Sequence, residues 1–269
     1  MTDLETLQTY FTNVSFNDDP KRRNKDTYLV HIDPFHKCPN NYAVNSLKEY
    51  KGICTWNSKI YAQLKSMGAN VAKLPYYPFL DVRGTLDEFI EYEDKLGLCM
   101  IEQNATPTTY PFDISEKQIN LFMSLKGITT HTYGDIAICG NHYQGNPISA
   151  YDKLQIINEY KFCLCFDEIY HPIWSWDYIT NKIFDCFRAK TMPIYYGCYN
   201  IESIVPKHYF IDYRDFDSFQ ELNEYITEFD INIYINMVEE AYEWVKATHI
   251  GNVNKFAITL DNILKRTHK

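Results

Sequence analysis

Several stretches of the chain set polar, titratable side chains directly after apolar runs. Asp167 and Glu168 follow the run YKFCLCF at 160–166. Thr180, Asn181 and Lys182 open a segment in which Ile183, Phe184, Phe187 and Ala189 fall close to a 3.6-residue period. Asp33 follows TYLVHI at 27–32 and precedes Pro34, which ends the strand. Asn104 and the pair Tyr133-Gly134 follow or close two further strand-like runs. A carboxylate at a strand end can accept a proton, and a helix start carrying a hydroxyl and a lysine can hold an anion. Ordinary structural roles fit the same residues: Thr180 as a helix cap, Lys182 as a solvated charge, Asp167 and Glu168 as loop acids, Asp33 as a strand-end cap. His31 and His36 compete with Asp33 as proton acceptors.

What must position these groups is a strand–helix alternation. In the second part of the chain the periodicities predict a strand over 160–166, a helix over 181–190, a strand over 192–196 ended by Gly197, and a strand over 207–213. Strand, helix and strand at this spacing form a βαβ unit, so the sheet is parallel and the crossover right-handed. Ligands of such sheets bind outside the carboxyl ends of the strands, where the loop 167–180 lies. Ahead of it, strands are expected over 98–102 and 129–133, with helices over 114–126 and from Ser149 or Ala150 to about 159. The first part of the chain predicts strands over 27–32, 52–56 and 70–74 and a helix over 57–67 opened by Asn57 or Ser58. A short helix over 4–11 and a charged loop precede them. The acidic segment 85–95 reads as a surface helix or linker, and 217–229, 231–247 and 252–265 read as three terminal helices.

The composition narrows the function. A formal net charge of −9 gives no basic footprint for nonspecific nucleic-acid binding. A locally basic pocket for a small anion stays compatible with it. No stretch approaches the roughly 18 apolar residues of a membrane-spanning helix. The opening MTDLETLQTYFTN lacks the basic and apolar regions of a signal peptide. None of the eight cysteines forms a CxxC pair, and most sit in apolar runs, which predicts buried thiols in a reducing, cytoplasmic setting and no zinc site.

The stretch 160–216 resembles the donor-binding core of glycosyltransferase family 10, the alpha-1,3-fucosyltransferases. That family shows a strand reading roughly YKF-x-L-x-FEN, then Y-[IV]-TEK opening a helix, then P-[IV]-x-x-G, then a Phe-Ile-x-x-x-Asp-Phe ending. The counterparts here are Tyr160-Lys-Phe, Phe166-Asp-Glu, Tyr178-Ile-Thr-Asn-Lys182, Pro193-Ile-Tyr-Tyr-Gly197 and Phe210-Ile-Asp-Tyr-Arg-Asp-Phe216. Asp167-Glu168 replaces the last two residues of FEN, and Asn181 replaces the glutamate of TEK. At lower specificity, Asp33-Pro34 and Thr55-Trp56-Asn57 resemble two motifs of the family's first half.

The resemblance implies a GT-B-like α/β architecture of two Rossmann-type halves with C-terminal helices. The expected units are an acceptor-side domain over 1–92, a nucleotide-sugar domain over 93–250 and a terminal helix over 251–269. It implies an inverting transfer of a sugar, fucose from GDP-fucose first of all, onto a glycan hydroxyl. No metal or other cofactor is expected. Asp33 is the candidate general base. Thr180 and Lys182 are the candidates for the diphosphate, with Lys117 where family members place an arginine. Asn181, Asp167, Glu168 and Tyr178 are candidates for the donor's hydroxyls and sugar. Asn104, Tyr133 and Gly134 are placed to line the base pocket. Two other readings stand beside it: the same fold using another donor, such as UDP-xylose or a GDP-hexose, and a non-catalytic glycan-binding protein.

Overall fold

Short apolar runs separated by amphipathic segments fold into two parallel sheets. The computed structural model describes residues 3–43, 47–75, 85–102, 112–134, 137–145, 149–248 and 253–267. Helix α1 (Asp3–Tyr10) leads into the first sheet, formed by β1 (Val14–Phe16), β2 (Tyr28–Val30), β3 (Gly52–Thr55) and β4 (Val71–Lys73) in that order, all parallel. Helix α2 (Ser58–Ser66) joins β3 to β4. Its start is written in the sequence: Asn57 accepts from the backbone N–H of Lys59 and Ile60 and so satisfies two of the helix's free donors.

The second sheet holds β5 (Leu96–Glu102), β6 (Thr130–Gly134), β7 (Tyr160–Phe166), β8 (Met192–Tyr196) and β9 (Ile211–Asp212), in the order β6-β5-β7-β8-β9, again parallel. Helices α3 (Ser115–Ser124), α4 (Ala150–Asn158) and α5 (Lys182–Arg188) form the crossovers. Strand β7 alternates between two cores. Cys163 and Cys165 face Leu154, Ile157, Ile183 and Phe184, whereas Phe162, Leu164 and Phe166 face Leu121, Phe122, Leu222 and Tyr234. Both sides being covered, the strand reads as an unbroken apolar run. The chain order places β6 on one side of β5 and β7 on the other. The strand order therefore reverses at the β5–β7 seam, the place where such sheets open a crevice at their carboxyl ends.

Helices α6 (Phe219–Thr227) and α7 (Ile231–Thr248) cover the second sheet, but the last helix, α8 (Val253–Thr267), packs on the first. Phe256, Leu260 and Leu264 enter one cluster with Leu7, Val14, Tyr28, Val30 and Cys54. Two parallel-sheet α/β halves, with the chain's end returning to the first, make up the architecture. No helix among the described residues is long and apolar enough to cross a membrane. All eight cysteines are unpaired thiols, seven of them buried.

Three expectations change. The loop ahead of β2 contains the edge strand β1, whose three residues are too few to give a period. The segment 85–95 is not helical. It holds one turn, from Asp94 N–H to Glu91 C=O at 3.0 Å, and is fastened by distant partners. Tyr92 donates to Glu239, Phe89 meets Tyr242 edge-on, and buried Lys95 donates to the carbonyls of Ala189 and Lys190 at 3.3 and 2.9 Å. These contacts outweigh a helix propensity already weakened by like charges at Asp87, Glu88 and Glu91. The strand expected over 207–213 shrinks to Ile211–Asp212 between two short 3-10 turns.

Phe256 is 1 % exposed in the core of the first half. Phe256→Ala should lower stability by about 3–5 kcal/mol, as for other fully buried phenylalanines. Urea titration followed by tryptophan fluorescence checks this; a loss below about 1 kcal/mol would mean that α8 does not hold the first half together.

Candidate functional site at the strand ends

At the carboxyl ends of β5 and β7 the reversal of strand order leaves a gap, and Lys182 fills it. Its Nζ donates to Glu102 Oε1 at 2.6 Å, to Glu102 Oε2 at 2.7 Å and to the carbonyl of Phe166 at 2.6 Å. Glu102 ends β5 and also accepts from Gln118 Nε2 at 2.8 Å. Burial disfavours the lysine's charge, but Glu102 and then Glu168 outweigh it, so its pKa is raised and the ammonium persists. The three protons of the ammonium are all engaged, in contrast to the solvated or phosphate-ready lysine expected. Glu102 was not singled out in the sequence; a carboxylate closing an otherwise apolar strand was its signal.

One residue past β7, Asp167 is 1 % exposed. Its Oδ1 accepts from Thr180 N–H at 3.2 Å and Thr180 Oγ1 at 2.5 Å, and its Oδ2 from the hydroxyl of Tyr195. A Cβ on Gly197 would stand 2.3 Å from Oδ2, so the glycine after β8 is what admits the carboxylate. Burial pushes Asp167 up to about 6 against the hydrogen bonds that favour its charge. These contacts correct two expectations. Thr180 does not cap α5: its hydroxyl is given to Asp167, and Asn181 takes the cap position without a side-chain bond. Asp167 is an internal brace of the loop and does not face the cleft, because its polar partners all lie within the fold.

The rest of the loop turns to the first half. Glu168 Oε2 accepts from Tyr178 Oη at 2.6 Å and lies 3.5 Å from His36 Nε2, while Oε1 pairs with Lys37 Nζ at 2.7 Å. Burial pushes Glu168 up, but His36, Lys37 and Lys182 together hold it well below the usual carboxylate range. The ring of Tyr178 packs by Trp56, and Trp174 stacks on Phe35 at 4.3 Å. Asp177, at a left-handed φ of 61°, accepts from Ser58 N–H at 2.9 Å and from Lys73 Nζ at 3.1 Å, and Asn57 Nδ2 donates to Ile173 C=O at 2.8 Å. The loop 168–180 thus docks on the carboxyl end of the first sheet.

Asp33 stands on that same end, half-buried, just after β2. Its rival His31 is fully buried, bonded through Nδ1 to Thr55 at 3.1 Å and lowered by burial to about 4, so it is neutral and out of reach of a ligand. His36 turns its Nε2 to Glu168 Oε2, 3.5 Å away. On the far rim, exposed Lys117 lies 5.4 and 5.3 Å from the ring centres of Tyr196 and Tyr213. Gly134 adopts a φ of 100°, where a side chain would strike the carbonyl of Glu102. Tyr133 departs from its expected place in a base pocket: its hydroxyl meets that of Tyr160, at the amino end of β7, at 2.9 Å. Asn104 lies outside the described residues.

Two other features stand apart from this end. Cys163, Cys165 and Cys186 bring three buried sulfurs within 4.8 Å of one another, but inside the apolar core. A groove of about 640 Å³ beside Lys95, Gly97 and Phe162 opens at the amino ends of β5 and β7, opposite the carboxylates. We place the site at the carboxyl ends, where the charged groups converge.

Comparison with known proteins adds to this geometry. Residues 115–263 match the family model described as glycosyltransferase family 10 (fucosyltransferase), C-terminal part. A stretch of 109 residues is 33 % identical to 4-galactosyl-N-acetylglucosaminide 3-alpha-L-fucosyltransferase 9 of Mus musculus, covering 40 % of this chain and 27 % of that protein. The chain therefore spans about a quarter of the length of that curated relative. The crystal structure of an alpha1,3-fucosyltransferase with GDP superposes with a TM-score of 0.60 at 15 % identity, covering 94 % of this chain and 78 % of that one. Anabaena Alr3699/HepE in complex with UDP and glucose gives 0.62 at 10 % identity, covering 98 % and 81 %. At such identities the likeness is one of fold, and the fold is GT-B.

The buried carboxylate gives a test with a definite sign. Folded, Asp167 keeps its proton up to about pH 6; unfolded, it releases it near 3.8. Between these values the fold holds more protons, so stability falls as pH rises through the window and levels off above it. Asp167→Asn removes that titration. The difference in unfolding free energy between wild type and Asp167→Asn should drift by on the order of 3 kcal/mol from pH 4 to pH 7 in urea titrations. Parallel curves would show that Asp167 ionises as freely as a surface acid.

Proposed function

The chain belongs to glycosyltransferase family 10, and from that premise we propose that it transfers fucose from GDP-fucose to a glycan hydroxyl with inversion. The observation that carries this reading is the meeting of the two motif loops. Lys37 and His36, four and three residues past Asp33, both engage Glu168, one residue past Asp167 at the end of β7. This contact brings the loop after the candidate base against the donor motif of the second half, which supports the reading. Inversion needs that arrangement: a base on one side of the sugar and a leaving diphosphate on the other.

In this reading the diphosphate lies over the β5–β7 seam. Lys182 supplies charge from within and Lys117 from the rim, where it stands free of any acidic partner at ion-pair distance among the described residues. Negative charge grows on the leaving group in the transition state, so these cations act most strongly there. Asp33 takes the proton of the acceptor hydroxyl. Glu168 and Asn181 face the transferred sugar, and Tyr178 fixes Glu168. The charge is handled by side chains, so turnover should survive EDTA; loss of activity restored by Mn²⁺ would refute this point.

Glu168 favours a second reading of the donor. Family members carry an amide there, whereas this carboxylate is held ionised by His36 and Lys37. An acceptor-only group selects a different set of sugar hydroxyls than an amide does. UDP-xylose or a GDP-hexose would then replace GDP-fucose on the same machinery. Thermal shifts with GDP, UDP and their sugars separate the readings. The matching nucleotide at about 100 times its dissociation constant should add roughly 2.7 kcal/mol. No shift with any of them would leave a glycan-binding role as the better account.

The Glu102–Lys182 pair gives a finer test. A diphosphate must compete with Glu102 for the ammonium. Glu102→Gln should lower the stability of the free protein by about 3 kcal/mol, since it leaves a buried charge uncompensated. It should also increase the stabilisation by GDP relative to wild type. Weaker GDP binding in Glu102→Gln, by calorimetry, would mean that the diphosphate lies elsewhere.

A further inference from the structure

Asn17 falls in the charged loop ahead of β2, and its side chain bonds to both the backbone and the carboxylate of Asp33. It follows β1 with a left-handed φ of 63°. Asparagine is among the few residues with a side chain that enter this region readily. Its N–H donates to Val30 C=O at 2.9 Å, which fixes it against the end of β2. From there Oδ1 accepts from the N–H groups of Ile32 and Asp33 at 3.0 and 2.9 Å and from Asn41 Nδ2 at 2.9 Å. Its Nδ2 donates to Asp33 Oδ2 at 2.6 Å. Asn41, fully buried, also donates to the carbonyl of Asp33 at 3.3 Å, and Tyr42 Oη does so at 3.2 Å.

We infer that Asn17 is a positioning residue for Asp33: it clamps one carboxylate oxygen and the backbone beneath it, and so presents the other oxygen to the acceptor hydroxyl. The inference rests on Asp33 being the general base. One side chain does both jobs because an amide carries a donor and an acceptor. A glycine would keep the backbone and lose the clamp. An aspartate would keep the acceptor and set a second carboxylate against the first. The clamp is neutral, so it orients Asp33 without an opposing charge competing for the proton. Of the titratable groups around Asp33, burial pushes the Cys38 thiol and the Tyr42 hydroxyl up; Asp18 is paired with Arg23, and His36 and Lys37 turn to Glu168. Proton transfer requires heavy atoms within about 3 Å in line, and a base that can swing loses much of its advantage.

The test measures GDP release from GDP-fucose, with water or N-acetyllactosamine as acceptor, for wild type, Asn17→Gly, Asn17→Asp and Asp33→Asn. Asp33→Asn should lose roughly 10²–10⁴-fold in kcat with GDP affinity unchanged. Asn17→Gly should lose about tenfold or more in kcat with the KM for GDP-fucose unchanged, as expected for a base that is present but loose. In Asn17→Asp the acid limb of the kcat/KM profile should move to higher pH, because a like charge favours the protonated form of Asp33. The ¹³C titration of the Asp33 carboxyl should move the same way and needs no substrate. Wild-type kcat in Asn17→Gly, or an unmoved titration in Asn17→Asp, while Asp33→Asn is inactive, would overturn the clamp. Full turnover in Asp33→Asn would instead sink the base assignment, and no GDP release by wild type would sink the donor reading; both leave the carboxyl titration to judge the contact. Should Asn17→Gly fail to fold, the near-isosteric Asn17→Asp decides through its pH limb and titration.

Discussion

A lysine ammonium drawn into the seam between two strand ends is tolerable only if its charge is matched at once. Glu102 does this for Lys182, and much of the second half follows from it. The pair ties the end of β5 to the start of α5, and the third bond, to the carbonyl of Phe166, ties both to the end of β7. The seam where a parallel sheet would otherwise gape is thereby closed by charge. Desolvation makes such a pair a poor source of net stability. In the proposed reading its value lies in what it keeps: a full positive charge, held in place, where an anionic leaving group would arrive. A neutral side chain of the same size would pack better and offer nothing to a phosphate.

The halves are joined by polar contacts laid on an aromatic base. Phe35 on Trp174 and Trp56 beside Tyr178 exclude water from the junction. Asp177 then bonds to Ser58, Lys73 and Asn200 from a left-handed backbone position, a conformation that persists because so many partners define it. Glu168 is the counterpart on the other side of the loop, bonded to Tyr178 within its own half and to Lys37 across the junction. The loop that carries the donor motif is therefore also the surface that meets the first half. Among the described residues, these contacts between the two halves centre on 168–180.

Much of this was legible in the sequence where the physics is local. The strands 160–166 and 192–196 appear at their predicted ends because each is bounded by a polar residue or glycine and buried on both faces. Both helix starts are legible to within one residue, and the structure places the caps at Asn57 and Ser149, since a cap needs only its own next three residues. The expectations that changed depend on partners far along the chain. Thr180 looked like a cap until Asp167, thirteen residues earlier, claimed its hydroxyl. The acidic segment 85–95 looked helical until Glu239, Tyr242 and the carbonyls of Ala189 and Lys190 fixed its side chains. Glu102 could not be paired with a lysine 80 residues away by any pattern of spacing. Motif order located the site, and burial then decided which of its residues face inward.

That last distinction changes how the motif should be understood. Asp167, Thr180, Tyr195 and Gly197 come from four motif positions and form one buried unit, in which the glycine makes room for the carboxylate and the carboxylate holds the threonine. Their spacing is kept by the demands of packing. The proposed function assigns Glu168, Tyr178, Asn181, Lys182 and Lys117 to the donor. In that reading a substitution in the first set acts through the fold, and one in the second acts on the ligand. The departures from the family pattern fall in both sets, Asp167 in the buried one and Glu168 and Asn181 in the other. The change at 167 is compensated by Thr180 and Tyr195, which already bond it. The change at 168 is answered by Tyr178 in the same half and by Lys37 across the junction, whereas Asn181 makes no capping bond. In the proposed reading donor choice is assigned to these two positions, and the buried unit beneath them sets where they stand.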